Sequence, residues 1–166
     1  MKVQFFILSA FAAILITGCR PSESTEKIVY NTTPRENLPV IADTIIYDVI
    51  IKNLNKEDLW TEECLQQLKR NTFLDSLFTA IYNEQILVFD FFTKEKLTPR
   101  DIKKMETAEG YSRDAIGKIQ FTEVWYFDSG KALLEKKVVA MVLGLEQFTS
   151  TGELKGYKPL FRVNLN

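Results

Sequence analysis

Apolar and polar positions change period several times along this chain, and each change marks an element. Thr44–Lys52, TIIYDVIIK, is β-branched and aromatic with one polar break at Asp48, which predicts a strand. Leu59, Trp60, Cys64, Leu65 and Leu68 then recur at helical spacing, with Asn55 as the expected N-cap and Glu57-Asp58 suited to the positive end of the dipole. A second stripe, Phe73, Leu74, Leu77, Phe78, Ile81 and Tyr82, predicts a core-facing helix capped by Asn71 or Thr72. Ile86–Phe92 reads as a strand interrupted at Asp90, and Thr93–Lys96 as a charged turn. Thr98-Pro99 sets an N-cap and a first-turn proline for a short helix, Pro99–Ala108, which Gly110 ends.

The longest patterned stretch is Phe121–Leu145, where the runs FTEVWYF and VVAMVLGL flank the turn residues DSGK. Ser-Gly tolerates the dihedrals of a tight reversal, so a β-hairpin is expected. With the reversal at Ser129-Gly130, or with DSGK as the loop, Phe127 faces Ala132, Trp125 faces Leu134, Phe121 faces Val138 and Ile119 faces Ala140. These form a core face on which Glu123 lies opposite Lys136, a candidate cross-strand ion pair. The other face mixes Gln120, Thr122, Glu135 and Lys137 with Val124, Tyr126, Val139 and Met141. Tyr126, Glu135 and Lys137 on this less apolar face are the candidate partner-contact surface. Tyr157–Leu165 alternates as a third strand. The fold class that follows is α+β: an antiparallel meander sheet with a C-terminal β-hairpin, packed against two or three short helices.

The N-terminal pattern is different. Lys2 precedes the apolar run Val3–Ile16, too short to span a bilayer comfortably and ending in small residues, as a signal peptide does. Ile16-Thr17-Gly18-Cys19 resembles a bacterial lipobox, so residues 1–18 are expected to be removed and Cys19 lipidated. Residues 19–40 are rich in Ser, Thr, Glu and Pro, and form the expected tether to a single domain over 41–166. The expected location is the outer membrane, with the domain facing the periplasm and held by its N-terminal lipid.

The 166 residues carry 21 basic and 22 acidic side chains, a balance that gives no bulk attraction to nucleic acid. Cys64 is the one other cysteine, expected as a small buried hydrophobe. There is no histidine, and no phosphate-loop, metal or nucleophile motif. Asp90, Glu123 and Asp128 are the carboxylates nearest to a catalytic grouping, but they read as turn caps and edge-strand charges. Alternation sends Trp125 and Phe127 into the core. The expectation is a protein that is not an enzyme, has no cofactor or metal, and has no nucleic-acid partner.

Residues 119–166 resemble the C-terminal part of the GldN/PorN family, periplasmic components of the type IX secretion and gliding-motility machinery of Bacteroidota. The matching pieces are Glu123–Asp128, Val138–Gly144 and Gly156–Val163. FLDSLFTAIYNEQILVFDFFTKEKLTPRDI, upstream, is similar to the preceding section of that family, so the likeness runs from Phe73 to Asn166. Arg162 stands where the family often has an aromatic residue, and the family protein usually partners a separate lipoprotein. The resemblance implies a non-enzymatic scaffold or adaptor that contacts other secretion or motility proteins and joins a ring or other oligomer. The alternative is a periplasmic or surface lipoprotein that binds a glycan or peptide.

Overall fold

The computed structural model describes residues 38–165. The signal run, Cys19 and nearly all of the expected tether lie outside them. The elements are β1 (Val40–Ile50), α1 (Leu59–Leu65), α2 (Arg70–Tyr82), β2 (Leu87–Asp90), β3 (Lys96–Leu97), α3 (Pro99–Glu106), a 3-10 turn (Arg113–Ala115), β4 (Ile116–Asp128), β5 (Leu133–Phe148) and β6 (Leu154–Asn164). The strands form one sheet in the order β1-β4-β5-β6-β2-β3, and every neighbouring pair is antiparallel. The α+β class, the C-terminal hairpin and the β4-β5-β6 meander are as expected.

One face of the sheet builds the core. Leu74, Leu77, Phe78 and Ile81 of α2 and Ile102 of α3 pack on Ile119, Met141, Leu143, Phe161 and Val163. The α2 stripe buries because its spacing of three and four keeps these side chains on one side of the helix. Phe78 is fully buried, edge-on to Phe161 at 5.9 Å between centroids, and the Arg113 guanidinium lies 4.2 Å from its ring centre. α3 starts as expected: Thr98 Oγ1 accepts from Asp101 N, and the Asp101 carboxylate accepts from Thr98 N at 2.8 Å.

Several expectations give way to local chemistry. Asp58, not Asn55, caps α1, its carboxylate accepting from Thr61 N at 3.0 Å; Asn55 instead accepts from Glu57 N in the preceding turn. The helix has only seven residues and none is buried, so the apolar spacing from Leu59 to Leu68 is not a core face. Leu59 and Trp60 are about three-quarters exposed, and Cys64 is exposed rather than buried. α2 begins before Asn71 and without a side-chain cap. Arg70 in its first turn instead donates to the carbonyls of Arg113, Asp114 and Ile116. β2 stops at Asp90 because that carboxylate accepts from Phe92 N and Thr93 N, which turns the chain. The charged turn then leads into β3.

The hairpin forms, but in a different register. The loop is Ser129–Ala132, closed by Asp128 Oδ1 accepting from Gly130 N and Lys131 N, with Ala132 at φ +48°. Phe127 therefore pairs with Leu134, Trp125 with Lys136 and Glu123 with Val138. This is a slip of two residues from the expected pairing, and it leaves faces unchanged because strand side chains alternate with period two. An irregularity follows at Val139, between the Glu123–Val138 and Thr122–Ala140 pairs. Beyond it the slip is three, an odd number, so β5 turns over: Met141 and Leu143 enter the core opposite Phe121 and Ile119. Ala140 and Val142 go to the other face.

Candidate interaction surface

The face away from the helices carries Asp48 on β1, then Lys118, Gln120, Thr122, Val124 and Tyr126 on β4. β5 adds Glu135, Lys137, Ala140 and Val142, and β6 adds Arg162. None of these side chains belongs to the core cluster that the helices cover. The structure brings the three predicted contact residues together here. Tyr126 pairs directly with Glu135, and Lys137 is two residues further along β5, opposite Val124. Lys137 is exposed, while Tyr126 and Glu135 are half-buried.

The predicted ion pair between Glu123 and Lys136 is not formed, because the longer loop moves Lys136 opposite Trp125. The Lys136 ammonium lies over the Trp125 ring, 4.2 Å from its centre. Glu123 is only 4 % exposed and takes neutral donors: Tyr47 Oη donates to Oε1 at 2.6 Å and Trp125 Nε1 to Oε2 at 2.9 Å. The carboxylate pushes the Tyr47 phenol up to about 12, first through this hydrogen bond and then through burial. Glu123 is thus a buried anchor between β1 and β4, not an edge charge. Trp125 and Phe127 do point to the helix side, yet Trp125 is half-buried and Phe127 is 39 % exposed. The hairpin runs past the helices, whose cluster ends at Phe121 and Met141 on these strands.

Two features of this face were missed in the sequence. One is a groove of about 290 Å³ lined by Phe91, Lys118, Gln120, Val142, Tyr157 and Pro159 among others. Asp48 organises its polar wall, accepting from Lys118 Nζ at 2.7 Å and from Gln120 Nε2 at 3.0 Å. The Lys118 hydrogen bond holds the Asp48 carboxyl below its ordinary value. Burial and then the nearby Glu146 charge push the Tyr157 phenol up from its ordinary value. The other feature is Glu146, whose side chain is 2 % exposed and pairs with Lys52 at 3.1 Å. Lys52 also bonds Asp114, so the pair ties the end of β1 to β5 and to the 3-10 turn. Both depend on which strands become neighbours, which no local pattern encodes.

Asp90 and Asp128 serve as turn caps, as expected. Among the described residues no helix is long and apolar enough to cross a membrane. No model of a known protein family matches the chain, and no curated protein matches it either.

Proposed function

We propose that the protein is a membrane-tethered, non-enzymatic scaffold or adaptor that works by protein–protein contact. In this reading Cys19 carries the lipid, residues 20 to about 37 form the tether, and the domain faces the periplasm from the outer membrane. The observation that carries the proposal is the sheet face outside the helix-covered core. There Tyr126, Glu135 and Lys137 form a compact mixed patch on a long hairpin. The motifs shared with the GldN/PorN family fall in order on α2, β2, α3, β4, β5 and β6. On that resemblance the partners are type IX secretion or gliding-motility proteins. The test is crosslinking in cells followed by detergent purification. Partner proteins should be recovered with the wild type and lost with the Tyr126→Ala/Lys137→Glu variant, while the variant keeps its circular dichroism spectrum. Recovery of the monomer alone from wild-type cells would overturn the proposal.

A second reading, a ligand-binding lipoprotein, is favoured by the groove. Its Lys118 charge is balanced by Asp48, and two aromatic rings line it, which suits a neutral ring with one apolar face, such as a pyranose. Its volume, at the lower end of the usual ligand range of about 300–1,000 Å³, limits it to one ring. Titration with neutral monosaccharides, followed by NMR of the Gln120 and Tyr157 signals, separates this reading from the first.

A further inference from the structure

The end of the sheet at which the described chain begins carries a group of exposed apolar side chains, as α1 does beyond the opposite end of β1. Pro39 accepts a backbone hydrogen bond from Phe127 N, and Val40 pairs with Tyr126, so residues 38–40 lie beside the hairpin tip. Four large apolar side chains are exposed there: Val40 at 54 %, Ile41 at 55 %, Phe127 at 39 % and Leu134 at 48 %. Phe127 and Leu134 are direct cross-strand partners, one pair back from the Asp128–Leu133 pair that borders the loop. Next to them Trp125 is stacked under the Lys136 ammonium, a pairing of aromatic body and charged tip that suits a membrane–water boundary.

We propose that this hairpin end docks on the lipid surface to which Cys19 is anchored, with Phe127 and Leu134 entering the headgroup region. The inference rests on the lipid anchor in the function proposed above. The chain leaves the described domain at this end, and it leads from there to Cys19 through residues 20–37. A segment of that length can span roughly 60 Å when extended, so the tether permits contact without forcing it. The apolar tip supplies the contact.

Charge decides the kind of surface. Lys131, Lys136 and Lys137 are offset by Asp43, Asp128 and Glu135, and Lys131 is paired with Asp128 at 3.6 Å. The tip is therefore close to neutral, and apolar insertion rather than attraction to anionic lipid drives docking. In this pose the helix-side surface of the hairpin turns to the bilayer, and Tyr126, Glu135 and Lys137 stay on the opposite face, open to a partner.

The two tryptophans make the test direct. Trp125 sits at the hairpin end, whereas Trp60 lies on α1, beyond the other end of β1. At the usual rise per residue those two ends of β1 are about 30 Å apart. The full-length acylated protein, carrying Trp60→Phe so that Trp125 alone emits, is reconstituted into phosphatidylcholine vesicles with plain or brominated acyl chains. Brominated chains should quench Trp125, and Phe127→Ser/Leu134→Ser should abolish the quenching while the protein still floats with the vesicles. The wild type should be quenched by a smaller fraction, because Trp60 adds emission out of reach of the bromines. A protein that floats with the vesicles but is equally bright in both overturns the docking, as does quenching that survives the double variant. A Cys19 without acyl mass overturns the anchor itself, and intact-mass analysis of the same sample distinguishes that failure from the first.

Discussion

Replacing Tyr47 by Phe removes one oxygen, and the structure states what that oxygen does. Tyr47 Oη donates to the Glu123 carboxylate at 2.6 Å, and the carboxylate is 4 % exposed with Trp125 Nε1 as its other donor. A hydrogen bond to a charged group contributes about 1.5–3 kcal/mol. The Tyr47 side is more open, so water replaces part of the lost bond, and the cost should fall at the lower end, about 1.5 kcal/mol. Urea unfolding should show a midpoint lowered by roughly 0.5–1.5 M. A double-mutant cycle with Glu123→Gln isolates the pair, and the coupling should exceed about 0.5 kcal/mol. The matching cycle of Glu123→Gln with Lys136→Met should give a coupling near zero, since Lys136 stacks on Trp125. Alkaline pH supplies an independent arm. The phenol titrates near 10.0 when free and near about 12 in the fold. A raised folded value means that its contribution is whole below pH 10.0 and is lost as pH rises through about 12. The wild type should therefore lose more stability than Tyr47→Phe over that window. A strong Lys136 coupling together with a silent Tyr47 cycle would refute the reasoning and restore the ion pair.

Three other outcomes follow from the same geometry. Phe78→Ala empties the fully buried site between Phe161 and Arg113 and should cost about 3–5 kcal/mol in chemical denaturation. Thr98→Ala breaks the capping box of α3 at a cost of about 1 kcal/mol, and Thr98→Ser should restore most of it. Lys118→Met should raise the Asp48 carboxyl towards 3.8 when followed by NMR. In the wild type the small contribution of this pair is whole above 3.8 and is lost as pH falls through the depressed value.

Elements were legible wherever one residue's chemistry decides them. Thr98, Pro99 and Asp101 specify the start of α3 among themselves, and the α2 stripe needs only a core to face. The helical spacing from Leu59 to Leu68 shows the limit of that logic. Spacing states which side chains share a side of a helix, not whether anything covers that side, and α1 leaves Leu59 and Trp60 in solvent. Asp58 also outcompeted Asn55 as a cap, because its carboxylate reaches both Thr61 N and Thr61 Oγ1. The groove and the Glu146–Lys52 pair lay out of reach for another reason. They join β1, β4, β5 and β6, and strand order is a property of the whole chain.

The hairpin shows how a face can be legible when its partners are not. A slip of any even number keeps every side chain on its side of the sheet, so Tyr126, Glu135 and Lys137 were assigned to one face from a register that was wrong by two. The same slip took Lys136 away from Glu123. Its cause lies in the loop: Asp128 Oδ1 accepts from Gly130 N and Lys131 N, and a left-handed Ala132 extends the loop past Gly130. The irregularity at Val139 then converts an even slip into an odd one, so Met141 rather than Ala140 joins the cluster beneath the helices, although both are buried. The volume of the core explains why the odd register wins. Opposite Phe121 and Ile119 it places Met141 and Leu143, both nearly or fully buried, where the even register would have placed smaller side chains. That choice also leaves the small residues Ala140 and Gly144 on the outer face, so the groove between Lys118, Tyr157 and Phe91 and the core beneath it are two consequences of one extra residue.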